Sequence, residues 1–417
     1  MIKSIFLKFC LILNLVQITT LAQNASTYTR AGIGDMKYSY SARTLGMGHS
    51  GSSLINNDYV EILNPASWSA LSRTRIEFSF SYDAVKLSNT TESSSFGDGD
   101  FKGFTFAFPV SPDNGVGIAF GIVPYSRVNY QIEQSFESSP EINSAYTTTY
   151  IGKGGLSKLF FGTSYRLPFS LILGATLDYY VGKIKYTSSS DFDNTSYFSS
   201  EYELSYSNKG FGTTLGLISP DFAFVFNSES ITNFRLALST NIIGELASDT
   251  LLISTSSSLV DTLGFGETQM QVPIRVLTGT SITFSNSYTL ALDYYFQPWS
   301  QYKFADQSSS NLKDLHRISL GFEYRPVRVP GMSFVELIMF RAGLSYEQSQ
   351  YRFNNTDINQ YAVFGGFSMP LSPENTIDLG FEYAIRGTTE NNLIEENFLR
   401  INLGISFGDL WFERYDY

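Results

Sequence analysis

Residues 377–386 read IDLGFEYAIR, and they divide by parity into two faces. Ile377, Leu379, Phe381, Tyr383 and Ile385 share one face, and Asp378, Gly380, Glu382, Ala384 and Arg386 share the other. Successive side chains of an extended chain point to opposite sides, so this period of two marks a strand with one apolar and one polar face. Flanking segments repeat the pattern. Tyr288, Leu290, Leu292, Tyr294 and Phe296 oppose Thr289, Ala291, Asp293, Tyr295 and Gln297, and Leu399, Ile401, Leu403, Ile405 and Phe407 oppose Arg400, Asn402, Gly404, Ser406 and Gly408. The pentapeptide LGFEY recurs at 320–324 and 379–383, and LDYY at 177–180 and 292–295. Such echoes follow from a shared strand requirement, an apolar residue alternating with Gly, Asp or Glu, and do not mark domain repeats.

Extended along the chain, the alternation predicts fourteen strands: 75–87, 101–110, 116–131, 146–166, 171–186, 201–218, 234–247, 267–284, 288–298, 315–325, 335–350, 359–370, 375–387 and 397–412. Short turns such as SPDNG (111–115), RLPFS (166–170), SNS (285–287) and LSPEN (371–375) interleave with longer polar stretches at 87–100, 188–200 and 304–314. The segment 219–233 goes with the short turns by counting. An even number of strands with short and long connections on opposite sides describes a transmembrane outer-membrane β-barrel. A soluble β-sandwich also alternates, but one domain rarely runs to fourteen such strands. In this register Glu77, Arg166, Asp178, Arg235, Arg275, Asp293, Arg317, Glu323, Arg341, Asp378, Glu382, Arg386 and Arg400 face the lumen. Both signs are present, so these groups can pair across a polar interior.

Bulk properties agree. There are 27 Tyr and 35 Phe in 417 residues, of which only 16% are charged, an unusual balance for a soluble chain. The first residues carry Lys3 and Lys8, then an apolar run, then Thr20-Leu21-Ala22, so 1–22 are expected to be a secretory signal peptide. That leader contains Cys10, the sole cysteine, which leaves no disulfide or thiol chemistry to the mature chain. Without its two lysines the net charge falls from −11 to −13, which argues against nucleic acid as a partner.

One motif points elsewhere. GMGHSG, residues 46–51, has the G-x-G-x-x-G spacing of a dinucleotide-binding turn. A polar, Ser-rich stretch precedes it, Asn56, Asn57 and Pro65 follow it, and no βαβ unit surrounds it, so the phosphate reading lacks its structural context. Catalysis is equally unsupported. Of the two histidines, His316 differs in parity from Ser319, and His49 precedes the first strand. The acidic pairs Asp98/Asp100 and Asp191/Asp193 fall in expected outer loops, where solvated carboxylates are the ordinary case, and no metal or cofactor is assigned.

The wider stretch 42–71, ARTLGMGHSGSSLINNDYVEILNPASWSAL, resembles the N-terminal segment of the FadL-type outer-membrane transporter superfamily, which includes TodX-like and PorV-like barrels. The matching positions are Ala42, Arg43, Gly46, Met47, Gly48, Asp58, Asn64, Pro65 and Ala66, with His49 departing from the usual small residue. The resemblance implies that residues 23–74 fold back as a hatch inside a barrel formed by 75–417. Gly46, Met47, Gly48, Asn64, Pro65 and Ala66 would be its site residues. Glycine suits a non-regular backbone that needs positive φ or close approach to a wall. The resemblance further implies a lateral opening at the third strand. There Pro124 interrupts VGIAFGIVPYSRVNYQ, so Gly121, Pro124 and Tyr125 are its candidate kink. An ordinary bulge without a gate is the alternative. The implied function is passive uptake of hydrophobic small molecules, fatty-acid-like or aromatic, across the outer membrane. The alternative is a non-transporting scaffold with a protein partner, as in the PorV-like branch.

Overall fold

The structure, a computed structural model, describes residues 26–139, 142–256, 259–329, 331–372 and 374–410. The expected leader (1–22), residues 23–25 and the end of the last predicted strand (411–412) lie outside the described residues.

Fourteen antiparallel strands form the barrel, as the alternation predicts. They are β1 (Thr74–Ser88), β2 (Ser93–Ser111), β3 (Val116–Pro124 and Ser126–Phe136), β4 (Tyr146–Gly154 and Ser157–Arg166), β5 (Ile172–Phe192), β6 (Ser200–Ile218) and β7 (Ile231–Ile243 and Leu246–Ser256). The second half comprises β8 (Leu259–Gln271 and Arg275–Phe284), β9 (Tyr288–Gln297), β10 (Leu315–Tyr324), β11 (Met339–Phe353), β12 (Thr356–Pro370), β13 (Thr376–Arg386) and β14 (Glu395–Asp409). The barrel closes where β1 pairs β14, from Thr74↔Asp409 to Ser88↔Glu395. Parity holds through the wall. Leu290, Leu292 and Tyr294 are exposed on the outside of β9, while Asp293 between them is buried inside.

Strand ends depart from expectation on the outer side. Residues 93–100 and 188–192, read as loop, continue the ladders, so β1 and β2 are joined by only four residues, 89–92. Asn89 fixes that turn, its side chain accepting from the amides of Thr91 and Glu92 at 2.8 and 2.7 Å. Backbone ladder bonds persist above the bilayer, but no lipid there demands an apolar face. The alternation that marks a strand therefore fades before the strand does. Asp98 and Asp100 consequently sit on a strand rather than in a solvated loop.

Inside, residues 26–73 descend the lumen as a plug. A 3-10 turn (Thr27–Arg30) lies at the outer end. Next come a two-residue strand (Asp35–Met36), helix α1 (Ala42–Gly46) and a 3-10 turn (Pro65–Ala70) that leads to β1. Ser41 caps α1 by accepting from the Thr44 amide at 3.2 Å, and Asn64 caps the last turn by accepting from the Ala66 amide at 3.1 Å, with Pro65 at its first position.

The wall is cut to fit this segment. Glycines face the plug backbone on several strands. A Cβ on Gly343 would lie 2.5 Å from the Gly48 nitrogen, one on Gly380 2.5 Å from the Ala42 oxygen, and one on Gly321 2.6 Å from the Met47 oxygen. Gly174 and Gly216 give the same clearance to Ala66 and Asn64 on the opposite wall. Plug and wall backbones therefore meet directly, which leaves little room for movement or water between them.

Candidate functional site

Buried charge ties the plug to the wall. Arg43 of α1 donates through Nε and Nη2 to the two oxygens of Glu323 on β10 (2.9 and 3.0 Å) and through Nη1 to Glu61 (3.0 Å). Arg341 on β11 donates to the same Glu323 (2.7 Å) and to Asp378 on β13 (3.3 Å). Tyr59 donates to Asp378 at 2.9 Å, and the amides of Gly51 and Ser52 donate to Asp293 at 3.0 Å each. Higher up, Arg386 holds Asp35 (2.8 Å) and Glu396 (2.6 Å), and Arg317 joins Glu347 (3.1 Å) to the Gly48 carbonyl (3.1 Å). The Arg43–Glu323 pair is bidentate and enclosed, and such a pair fixes one geometry and is costly to break on one side.

The six plug positions singled out from sequence occupy two seats. Gly46, Met47 and Gly48 end α1 and lie on β10–β12. Gly48 takes φ +70°, whereas Gly46 is helical and serves by its lack of a side chain, a Cβ there falling 3.2 Å from the Gly366 Cα. Asn64, Pro65 and Ala66 lie across the lumen on β5 and β6, where Asn64 Nδ2 also donates to the Leu217 carbonyl at 3.2 Å. His49, the departure from the family pattern, adopts φ +60° and sets its ring against Tyr38 and Phe364 (5.9 and 5.8 Å). Histidine tolerates that conformation better than most residues. Burial, then Arg317, holds its imidazole well below the usual histidine range, so it is neutral.

Gly121, Pro124 and Tyr125 form a third location, and here the wall is broken. β2 and β3 pair only from Ser111↔Val116 to Phe104↔Ile122. Beyond Pro124 the outer half of β3 leaves β2, keeps its pairing with β4 (Val128↔Gly154 to Phe136↔Tyr146) and takes the plug strand on its other edge (Asp35↔Arg127, Met36↔Ser126). Tyr125 is the pivot. Its amide donates to the Leu156 carbonyl (2.8 Å), its carbonyl accepts from the Lys37 amide (3.0 Å), and its ring packs against Tyr180 at 5.0 Å. β4 is broken opposite, at Gly155-Leu156, with Gly154 and Gly155 at φ +113° and +146°. Gly121 lies lower, within the paired part of β3.

The result is a window between 93–103 of β2 and 126–136 of β3, occupied by a cavity of about 680 Å³. Phe101, Ile122, Val123, Pro124, Val128 and Leu156 give it an apolar lining, and Asp98, Asp100, Arg127, Lys153 and Lys183 a charged one. Arg127 spans the gap, reaching Asp98 and Asp100 on β2 at 2.6 Å each. These three residues, with Leu156, are functional candidates that sequence reading missed. The doubled glycine at 154–155 is the signal that could have marked the second break. By contrast, two lumen cavities beside the plug measure about 60 and 20 Å³. Benzene fills a dry cavity of about 150 Å³, so neither lumen cavity takes a hydrocarbon, whereas the window falls in the range of ordinary ligand pockets.

Lys37 lines both small cavities, and Lys102 and Arg400 line the larger of them with it. Burial, then those two cations, pushes its ammonium down to about 7, with Asp83 opposing. The ordinary lysine value is about 10.4. Between these two values the displaced plug binds a proton that the seated plug does not. Seating therefore strengthens as pH rises from 7 to 10 and is flat below 7. Lys37→Met is expected to abolish that rise, read as the unfolding midpoint against pH.

A family model described as BamG matches residues 1–417. Among solved structures, the chain is similar to the Ralstonia pickettii toluene transporter TbuX, with 15% identity over 89% of this chain and 98% of that one and a TM-score of 0.58. It is similar to the Pseudomonas putida toluene transporter TodX, with 16% identity over 91% and 100% and a TM-score of 0.58. A Pseudomonas aeruginosa FadL homologue gives 11% identity over 89% and 99% and a TM-score of 0.60. No curated protein matches the sequence. At these identities the likeness is one of fold: the chain shares the plugged fourteen-stranded barrel of these proteins.

Proposed function

The chain belongs to the BamG family, and from that premise we propose that it is an outer-membrane channel that takes up hydrophobic small molecules sideways through the window between β2 and β3. The observation that carries this reading is the contrast in space. A cavity of about 680 Å³ opens at the interrupted third strand, while cavities of about 60 and 20 Å³ remain around the plug. A ligand enters among the outer strand ends, lies against Phe101, Ile122 and Val128, and leaves through the wall toward the bilayer. Residues 23–74 act in this scheme as a hatch that stays shut. Similarity to transporters named for toluene supports an aromatic or fatty-acid-like ligand.

Two variants move uptake in opposite directions. Pro124 supplies no N–H, and Pro124→Val restores a donor and permits β3 to run straight on beside β2. Uptake of radiolabelled toluene into cells is expected to fall several-fold, and unchanged uptake with an intact barrel would sink the reading. Arg127→Ala removes the ion pairs across the gap and is expected to raise the initial rate.

The density of the plug favours one other reading, a barrel that no longer transports and serves as a scaffold for a protein partner. Stoichiometric lipid in the purified protein supports uptake; a stoichiometric protein partner without lipid supports the scaffold.

A further inference from the structure

The outer halves of β7 (Leu246–Ser256) and β8 (Leu259–Gln271) form a hairpin that continues beyond the breaks at 244–245 and 272–274, and past the second break β8 parts from β9. β7 pairs on its far side with β6, from Ala247↔Lys209 to Ser256↔Ser200. β8 has no such cover. Among the described residues its far side meets a neighbour at Met270↔Phe304 and Gln271↔Lys303 and where the Gln269 carbonyl accepts from the Ala305 amide (3.0 Å), so residues 259–268 present a free edge. Soluble edges are ordinarily guarded by Lys, Pro or inward charge, because unpaired N–H and C=O groups recruit other strands. No Lys, Arg or Pro occurs between 246 and 271. Phe265 is 87% exposed, Leu259 78% and Val260 68%. A Cβ on Gly264 or Gly266 would meet nothing within 4 Å, which leaves the strand thin enough for close approach by another backbone.

We propose that residues 259–268 are a docking strand, to which an extended segment of another protein, apolar in its middle and basic at its flanks, adds by β-augmentation. Charge selects this occupant. Asp261 and Glu267 are exposed at either side of Gly264 and are the only ionisable groups along the edge. A second copy of this chain is disfavoured by the same two residues. Antiparallel self-pairing about Gly264 sets each Asp261 opposite the second copy's Glu267, and like charges directly opposite destabilise a ladder. The inference stands apart from lateral uptake, since the hairpin takes no part in the window.

The test uses the full-length protein in lipid nanodiscs. The probe is a short fluorescent peptide of alternating valine and threonine with a lysine near each end, compared with its glutamate counterpart. The lysine peptide is expected to bind saturably, at least about tenfold more tightly than the glutamate peptide. It should slow amide exchange within 259–268, and D261K/E267K should reverse the preference while leaving toluene uptake unchanged. Absence of saturable binding, equal affinity for the two peptides, protection confined to other strands, or a protein dimer formed through this edge overturns the proposal.

Discussion

Gly343→Val is expected to convert a sealed barrel into a conducting pore. A Cβ at residue 343 would lie 2.5 Å from the nitrogen and 2.6 Å from the carbonyl carbon on either side of the Met47–Gly48 peptide bond, and both are backbone atoms that cannot rotate away. The strands themselves tolerate valine, a good strand former, so the barrel closes while the plug loses its seat. Overpacking of this kind costs about 1–3 kcal/mol where a core can adjust, and more where backbone meets backbone. Single-channel recording in planar bilayers should show steady ion conductance in the variant and only rare openings in the parent. Gly264→Val, at a position with open space around it, is the control expected to leave conductance at the parent's level. Conductance equal to the parent's would show that the plug is not held by this glycine bed.

Glu323→Ala is expected to carry the largest loss of stability. The carboxylate is enclosed, 3% exposed, and shared by Arg43 of the plug and Arg341 of the wall. Its removal leaves two buried guanidinium groups with reduced neutralisation, and breaking one side of a buried pair typically costs about 3–5 kcal/mol. Asp378 continues to serve Arg341 and Glu61 continues to serve Arg43, which keeps the loss toward the lower end. Replacing Arg43 by Met in the same chain should recover part of it, because the stranded charge on the plug is then gone. Urea unfolding of the purified barrel in detergent measures both. A loss in the single variant that Arg43→Met does not reduce would assign Glu323 a role in the wall alone.

The barrel was legible in the sequence wherever lipid imposes it. In β13 and β14 each second residue is apolar because hydrocarbon lies outside, and the strand limits read from that alternation fall within a few residues of those in the structure. Above the membrane the constraint lapses, and the alternation does not mark the outer parts of β2, β5, β7 and β8 as strand. The plug positions were legible only through family resemblance, since Gly48 and Asn64 act on wall glycines far away in sequence. Pro124 announced a break but not its consequence. That the outer half of β3 exchanges β2 for Asp35-Met36, and that Arg127 bridges to Asp98 and Asp100, are long-range pairings that no local pattern encodes.

The central claim, that a hydrophobic ligand crosses through the wall and not down the lumen, is tested most directly by closing the window covalently. The chain's sole cysteine, Cys10, lies in the expected leader, so D98C/R127C introduces a unique pair on the two sides of the gap. Joined by a reducible bifunctional thiol reagent, this variant should take up radiolabelled toluene at background rate and regain at least the parental rate on reduction. Uptake that is the same with the link intact and with the link reduced would contradict the account, because the ligand would then be passing the plug.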